Sequence, residues 1–280
     1  MKKNPYTFHR NLKENLIKRR GEVQAKKILK QIEATEIFDI TYKSQNYNVN
    51  GFHLYPKYAT EKLPVIIYNR GGSKDYGIID FRIIINLLIP LALSGFSVFC
   101  SQYTGNAGSE GKDECGGKED IQSVIDLYEC IKESEISDES KISMWGDSRG
   151  GMMTYILINE VNWIKSGVIN CAPTDIENNY KLRLKLKEFR RDMYDVDSGL
   201  ENKKRSALYL VDKFPKNVPL IIFHGTKDDR APLEDTLKLA LELSKAGIDY
   251  NLHILDDQHC LPLYKKFVLE RGVDFIKKNL

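Results

Sequence analysis

The ten residues ISMWGDSRGG, numbered 142–151, carry the strongest indication of how this chain folds. Residues 142–145 are mostly apolar and favour a buried strand, whereas the pattern at 152–160 favours a helix. The serine therefore stands in a G-x-S-x-G turn between a strand and a helix, where the flanking glycines make room for a strained backbone that exposes its hydroxyl. This context predicts that Ser148 is a nucleophile, against the alternative of a glycine-rich turn with an incidental serine.

Strand-like and helical patterns alternate on both sides of this turn. The strand-like runs are short and continuously apolar, as parallel strands are when helices cover both faces of a sheet. They lie at residues 65–68, 96–101, 142–145, 166–170, 220–223 and 252–255. The helical patterns lie at residues 79–93, 119–132, 152–160, 233–246 and 263–279. This alternation predicts the α/β class, with a mostly parallel central sheet and helices on both faces.

The start of the chain and one internal segment depart from that alternation. Residues 1–35 predict a basic helical segment, with a helix at about 9–34, whose charges we interpret as a solvated face rather than an arm for an acidic partner. Residues 36–280 are expected to form one domain that begins with a hairpin. Within it, the charged segment 174–216 is expected to be a small cap-like helical insertion at the carboxyl ends of the strands, or else a surface excursion.

The later part of the chain supplies partners for a serine nucleophile. A serine hydroxyl needs a base within hydrogen-bond reach, and that base needs an orienting acid. Of the five histidines, only His259 lies on a loop after the last predicted strand, so it is the predicted base. Asp228, with Asp229 as the alternative, follows the strand at 220–223 and is the predicted acid. The spacing of these groups and His224 matches no zinc site, so neither a metal nor a cofactor is expected.

An acyl-transfer reaction also needs donors for the negative oxygen of its intermediate. The backbone N–H of Arg149 is the first expected donor, and the loop with Arg70 and Gly71, after the 65–68 strand, is expected to supply the second. The Arg70 side chain is a candidate ligand for a substrate carboxylate, with an ion pair to a nearby acid as the alternative. The glycine-rich loop 105–111 lacks a phosphate-binding signature and is interpreted as packing beside the site.

These residues resemble the catalytic domain of the prolyl oligopeptidase family, within the α/β-hydrolase superfamily. The stretches that carry the resemblance are 103–111 with the following Gly116 and Gly117, 146–151, 205–219 and, most specifically, HGTKDDRAP at 224–232. The resemblance implies an α/β-hydrolase fold and a serine hydrolase, with the acid at Asp228 and the base at His259. The chain departs from the family pattern at Cys260, where glycine often follows the histidine, and at Arg70, near a position that often holds tyrosine.

Three functions are compatible with these residues. The resemblance favours a peptidase or acyl-peptide hydrolase that forms an acyl-enzyme on small-molecule or short peptide substrates. A carboxylesterase would use the same groups in the same roles. A catalytically silent binding protein is the third alternative, and it would leave the serine without a chemical role.

Composition narrows the setting in which the chain works. The net charge of +3 favours neither a nucleic acid nor a membrane surface as partner. Five cysteines without a C-x-x-C pair suit a reducing compartment, and the basic N-terminal residues are followed by no apolar signal-peptide core. We therefore expect a cytoplasmic enzyme, and a homo-oligomer is compatible with the sequence.

Overall fold

The computed structural model describes residues 1–8 and 11–280, and one nine-stranded sheet runs through it. The strands are β1 (Lys2–Pro5), β2 (Thr35–Ser44), β3 (Tyr47–Pro56), β4 (Leu63–Asn69), β5 (Ser97–Ser101), β6 (Ser137–Asp147), β7 (Ile164–Asn170), β8 (Leu220–Gly225) and β9 (Tyr250–Leu255). Their spatial order is β1-β2-β3-β5-β4-β6-β7-β8-β9. The pairs among β1, β2, β3 and β5 are antiparallel, and all pairs from β5 to β9 are parallel. The predicted α/β class with a mostly parallel sheet is confirmed.

Helices cover both faces of this sheet, as the continuously apolar strands require. The helices are α1 (Leu12–Arg20), α2 (Glu22–Glu33), α3 (Phe81–Ile83), α4 (Ile89–Leu93), α5 (Lys118–Ile125), α6 (Leu127–Lys132), α7 (Arg149–Glu160), α8 (Ile176–Leu182), α9 (Leu184–Phe189), α10 (Gly199–Lys204), α11 (Leu233–Ala246) and α12 (Lys265–Lys278). A π-helical turn, Ile84–Leu88, joins α3 to α4. The helix expected at about 9–34 is two helices separated by Gly21, and His9 and Arg10 lie outside the described residues.

Strand β4 shows why its sequence has no alternation of apolar and polar residues. Val65 and Ile67 belong to the core on one face of the sheet, together with α7 and α11. Ile66 and Tyr68 belong to the core on the other face, together with α4 and α12. Successive side chains of a strand point to opposite faces, so a strand covered on both sides has most of its residues in apolar surroundings.

The first strand was not predicted from the sequence. Residues 2–5 read KKNP and have no apolar pattern, yet they pair antiparallel with β2 at the edge of the sheet. The Lys3 ammonium lies 3.8 Å from the ring centroid of Phe38 and 4.8 Å from that of Tyr55. Backbone pairing and these cation–aromatic contacts hold the strand without burying its side chains.

The charged segment 174–216 lies between β7 and β8 and contains α8, α9 and α10. Because β6, β7, β8 and β9 are parallel, this segment and the loops after β6, β8 and β9 all start at the same edge of the sheet. That edge receives the predicted nucleophile, acid and base. Among the residues that the structure describes, no helix is long and apolar enough to cross a membrane.

Helix α12 follows the loop that carries His259 and packs closely on β6, just before Ser148. A Cβ atom on Gly272 would lie 2.5 Å from two ring atoms of Trp145. We therefore expect Gly272→Ala to lower the free energy of unfolding by about 1–3 kcal/mol, because the helix or the ring must shift. Urea denaturation would measure this change.

The matched control is Gly199→Ala in α10, where a Cβ atom would have no neighbour within 4 Å. This variant is expected to stay within about 0.5 kcal/mol of the unaltered protein. Equal losses in the two variants would contradict the close approach of α12 to β6.

Candidate active site

Ser148 occupies a strained turn between β6 and α7. Its backbone has φ 54° and ψ −117°, outside the regions that non-glycine residues normally adopt. The Ser148 N–H donates to the carbonyl of Asn170 at 2.8 Å, and its carbonyl accepts from the N–H of Met152 at 3.1 Å. The neighbouring strand and the new helix therefore hold the turn in a conformation that costs about 1–3 kcal/mol.

The glycines of the motif are required by close backbone approaches. A Cβ atom on Gly150 would lie 1.9 Å from the carbonyl oxygen of Asn69, at the end of β4. A Cβ atom on Gly146 would lie 2.4 Å from the carbonyl oxygen of Gly150. Helix α7 can start so close to β4 only because these positions have no side chain.

The structure brings Ser148, His259 and Asp228 together in one chain of hydrogen bonds. His259 Nε2 lies 2.9 Å from Ser148 Oγ, and His259 Nδ1 lies 2.8 Å and 2.9 Å from the two carboxylate oxygens of Asp228. An ionised carboxylate only accepts hydrogen bonds, so the imidazole proton stands on Nδ1. Nε2 is then free of a proton and accepts the Ser148 hydroxyl, which is the arrangement that a general base needs.

Asp228 is held by more than the imidazole. Its Oδ1 accepts from the N–H groups of Arg230 at 2.8 Å and Ala231 at 2.9 Å. Burial alone would raise the pKa of the Asp228 carboxyl, but the hydrogen bond and charge of His259 and these two N–H groups outweigh burial and lower it. Asp229, the alternative acid, is exposed, and Asp228 is the one of the two that contacts His259.

The other described histidines are engaged elsewhere. His224 hydrogen-bonds the Ala231 carbonyl and the Thr236 hydroxyl, and His53 stacks on Phe99 at 3.9 Å between ring centroids. His253 stacks on the ring of Phe223. These three imidazoles therefore have partners away from Ser148, whereas His259 contacts the nucleophile.

One cluster of potential metal ligands was found among the described residues, and its chemistry does not fit a metal. Its donor atoms, from Cys171, Asp228 and His259, lie within 4.8 Å of one another. Both imidazole nitrogens of His259 are already used by Asp228 and Ser148. Burial, followed by the nearby charges, raises the pKa of the Cys171 thiol, so without a metal ion this group is a neutral thiol.

Two of the three predicted oxyanion residues lie beside the nucleophile. Arg149 is the first residue of α7, so its N–H has no acceptor inside the helix. Gly71 approaches so closely that a Cβ atom there would be 3.2 Å from Ser148 Cβ. The helix start and the loop after β4 therefore both lie next to the serine.

The Arg70 side chain has neither of the expected roles. It is completely buried, and its guanidinium donates to the backbone carbonyls of Gly71, Lys74 and Gln102. It also lies 4.9 Å from the ring centroid of Tyr103. The interpretation of this side chain as a ligand for a substrate carboxylate is wrong, because the group points into the fold and orders the loop.

The Arg149 side chain forms a buried ion-pair network that the sequence analysis missed. The guanidinium lies 2.7 Å from Asp113 Oδ1 and 2.6 Å from Asp120 Oδ2, and it donates to the Gly72 carbonyl at 3.2 Å. Burial raises the pKa of Asp120 to about 6 despite the opposing charge of Arg149. The sequence contains one signal for this network. Arg149 lies in a turn that must be buried, and a buried charge needs a counter-charge nearby.

The glycine-rich loop 105–111 packs beside this network and has no contact with the nucleophile among the hydrogen bonds of the described residues. The Asn50 side chain donates to the Ala107 carbonyl, and the Asn50 N–H donates to the Ser109 hydroxyl. Glu110 accepts from both the backbone and the side chain of Asn48. The loop is thus fastened to β3, as its interpretation as packing requires.

A pocket of about 320 Å³ opens at the serine. Its lining residues come from the loop after β4, from the nucleophile and base, from the 174–216 segment and from the loop after β8. They are Gly72, Ser73, Tyr76, Ser148, Pro173, Asn179, Arg183, Leu186, Phe189, Arg190, Arg230, Ala231 and His259. The charged segment therefore forms one wall of the pocket, and this wall carries arginines that the sequence analysis did not single out.

The network of Arg149 with Asp113 and Asp120 leads to a prediction about stability. Arg149→Met would leave two buried carboxylates without their counter-charge, and we expect a loss of about 3–5 kcal/mol in the free energy of unfolding. The control is Arg82→Met, which removes an exposed pair with Asp80 and is expected to cost less than about 1 kcal/mol. Denaturant titration would compare the two, and similar small losses would contradict the role of the network.

Comparison with known proteins shows which family the chain belongs to. A family model described as the prolyl oligopeptidase family matches residues 88–280. The chain is 26% identical over 239 residues to a probable dipeptidyl-aminopeptidase B of Ajellomyces capsulatus, and the alignment covers 80% of this chain and 26% of that protein. The chain thus spans about a quarter of the length of this relative.

Solved structures share the fold at lower identity. The acylaminoacyl peptidase of Pyrococcus horikoshii superposes with a TM-score of 0.75 and 22% identity, over 91% of this chain and 43% of that chain. The esterase Pf2001 of Pyrococcus furiosus superposes with a TM-score of 0.68 and 18% identity, over 90% of this chain and 93% of that chain. These likenesses show an α/β-hydrolase fold, and the family match extends over more than half of the residues. The chain belongs to the prolyl oligopeptidase family.

Proposed function

We propose that this chain is a serine hydrolase that cleaves short peptide or acyl-peptide substrates, with Ser148 as nucleophile, His259 as general base and Asp228 as the orienting acid. The observation that supports it most is the position of His259, which bridges Ser148 Oγ and the Asp228 carboxylate at 2.8–2.9 Å. Peptide substrates are favoured because the family and the relative from Ajellomyces capsulatus are named as peptidases.

In the acylation step, Ser148 Oγ adds to the carbonyl carbon of the substrate, and its proton passes to His259 Nε2. Asp228 then stabilises the imidazolium and keeps its ring oriented. The negative oxygen is stabilised by the Arg149 N–H and a donor from the loop that contains Gly71. The bond to the leaving group breaks as His259 returns the proton to the leaving nitrogen or oxygen, and the acyl group stays on Ser148.

In the deacylation step, water attacks the acyl-enzyme, and its proton passes to His259. The second intermediate collapses to release a carboxylic acid, and His259 gives the proton back to Ser148. The step needs only water and the same side chains, and no cofactor.

We also propose that the 174–216 segment is a cap over the site. It supplies five of the residues that line the pocket, namely Asn179, Arg183, Leu186, Phe189 and Arg190. Asn179 Nδ2 donates to the carbonyl of Arg230 at 2.6 Å, which ties the cap to the loop that holds the acid.

A cytoplasmic location is part of the proposal. All five cysteines are described and carry free thiols, four of them buried. Such thiols persist where the surroundings are reducing.

A carboxylesterase is the second candidate. The observation in its favour is the likeness to the Pyrococcus furiosus esterase, which extends over nearly the full length of both chains. Ester and amide substrates would use the same residues, so the two candidates differ in the leaving group that the site can protonate and release.

The two candidates predict different outcomes with a matched pair of substrates. N-acetyl-alanine 4-nitroanilide and the corresponding 4-nitrophenyl ester carry the same acyl group, and release of the coloured product measures turnover of each. We expect measurable hydrolysis of the anilide by the unaltered protein and its loss in Ser148→Ala, because an amide is cleaved only when His259 can protonate the leaving nitrogen. Ester hydrolysis with anilide turnover no higher than in Ser148→Ala would favour the esterase.

A fluorophosphonate probe gives a control that is independent of the substrate. Labelling at Ser148 in the unaltered protein, and its loss in a folded Ser148→Ala variant, are expected for either hydrolase. A folded protein that is not labelled would contradict the proposed function and favour a silent binding protein.

The neighbouring aspartates offer a test of the acid. Asp228→Asn is expected to lower kcat/KM by roughly 10³–10⁴-fold, because the amide no longer fixes the imidazole tautomer or stabilises its charge. Asp229→Asn changes the adjacent, exposed residue and is expected to leave kcat/KM close to that of the unaltered protein. Equal losses in the two variants, measured on the ester substrate, would contradict the assignment of the acid.

A further inference from the structure

Three arginines line the pocket beside Ser148, and no carboxylate is among the described residues that line it. Arg183 and Arg190 come from the cap, and Arg230 comes from the loop after β8. Arginines are normally placed where a carboxylate or phosphate can accept their planar set of donors. Three positively charged side chains in one small pocket therefore favour the binding of an anion.

The side chains of these arginines have few and weak partners within the described part of the chain. Arg183 Nη1 donates to the Arg230 carbonyl at 3.3 Å, and Arg230 Nη1 donates to the Tyr76 hydroxyl at 3.3 Å. Arg190 Nη1 donates to the Tyr180 hydroxyl at 3.4 Å. All three bonds are long, all three acceptors are neutral, and each guanidinium has five donors.

Arg190 is the most informative of the three. The residue is only 7% exposed, and its Nε has no hydrogen-bond partner among the described residues. A buried charged donor without a partner is costly unless a ligand supplies the acceptor. Its position in the lining of the pocket means that the acceptor can come from a bound substrate.

Among the other arginines of the described chain, the buried Arg70 donates to three backbone carbonyls, and others have carboxylate partners. Arg149 is paired with Asp113 and Asp120, and Arg205 is paired with Glu201. Arg191, next to Arg190 in the sequence, is paired with Glu188 and Asp197 at the surface. No ion pair of this kind is found for the three pocket arginines in the described ranges.

The three charges also act on one another. Burial, followed by the charges of Arg190 and Arg230, lowers the pKa of the Arg183 guanidinium, and Asp229 and Asp228 offset part of that effect. A carboxylate bound between these groups would relieve their repulsion and would accept two parallel N–H bonds from one guanidinium. An ammonium group in the same place would meet three like charges.

We propose that this pocket selects acyl substrates that carry a carboxylate, which Arg183, Arg190 and Arg230 bind beside the scissile carbonyl. The proposal rests on the hydrolase function proposed above and adds the charge class of its substrates. Three sources offer the same chemistry: a dicarboxylic acyl group, an acidic side chain next to the scissile bond, or the free carboxyl terminus of a peptide.

Matched substrate pairs distinguish these sources. The first pair is N-succinyl-alanine and N-acetyl-alanine 4-nitroanilide, and the second is N-acetyl-glutamate and N-acetyl-glutamine 4-nitroanilide. The third is N-acetyl-alanyl-alanine and its C-terminal amide. Where the anilides are not cleaved, the 4-nitrophenyl esters replace them in the first two pairs. We expect the carboxylate member to have about tenfold or higher kcat/KM in at least one pair, because charged hydrogen bonds are stronger than neutral ones.

Variants of the cap arginines test the cause of that preference. Arg183→Gln is expected to reduce the ratio of kcat/KM between the carboxylate and the neutral member of the pair by about tenfold. Arg190→Gln should reduce the preference for the carboxylate member in the same way. If that variant does not fold, Arg190→Lys, which keeps the charge, is measured in its place. Arg191→Gln is the matched control, because its guanidinium is at the surface and already paired, and it should keep the full preference.

The failure of this inference is distinct from the failure of the proposed function. If the probe labels Ser148 but all three pairs are hydrolysed at equal rates, or the neutral members faster, the proposed carboxylate selection is wrong and the hydrolase stands. A preference that survives both Arg183→Gln and Arg190→Gln would also overturn it. If the probe does not label a folded protein, the proposed function itself is wrong.

Discussion

The rest of the site depends on the strained backbone of Ser148. A residue with φ 54° and ψ −117° returns to a relaxed conformation unless its surroundings prevent it. Here the carbonyl of Asn170 on β7 fixes the N–H of Ser148, and the missing side chain of Gly150 lets α7 start against the end of β4. The same contacts set Ser148 Cβ against Gly71, so one constraint positions both the nucleophile and the loop that flanks the expected oxyanion.

The arginines near the Ser148 turn have two different kinds of partner. In the protein interior, the guanidinium of Arg149 is enclosed with Asp113 and Asp120, and the buried charges compensate one another. At the pocket, Arg183 and Arg190 have only neutral acceptors in the described residues. The first set of charges is compensated whatever is bound, whereas a bound carboxylate would supply the counter-charge that the second set lacks.

The parts of the fold in which burial leaves a pattern in the sequence could be predicted. The convergence of Ser148, Asp228 and His259 followed from the order of the strands. Continuously apolar runs identified the parallel strands, and positions just after strand ends identified Ser148, Asp228 and His259, whose catalytic roles stay predictions. Strand β1 was missed because its pairing uses backbone groups, which leave no mark in side-chain type. Arg190 and Arg191 are identical neighbours in a charged segment, and only the packing of the cap makes one line the pocket and the other face solvent.

One peptide unit joins the proposed substrate site to the proposed acid. The N–H of Ala231 donates to Asp228 Oδ1, and the carbonyl of Arg230, in the same peptide unit, accepts from Asn179 and Arg183 of the cap. Helix α9 contains no buried residue, whereas Ile176, Tyr180 and Val196 of the cap belong to the core, so these polar contacts add to apolar packing. The Arg183 guanidinium and the Asp228 carboxylate therefore contact the same short loop. Residue 230 thus lies between the proposed carboxylate site and the hydrogen-bonded chain of Ser148, His259 and Asp228, and the loop that bears part of the pocket charge also holds the carboxylate behind His259.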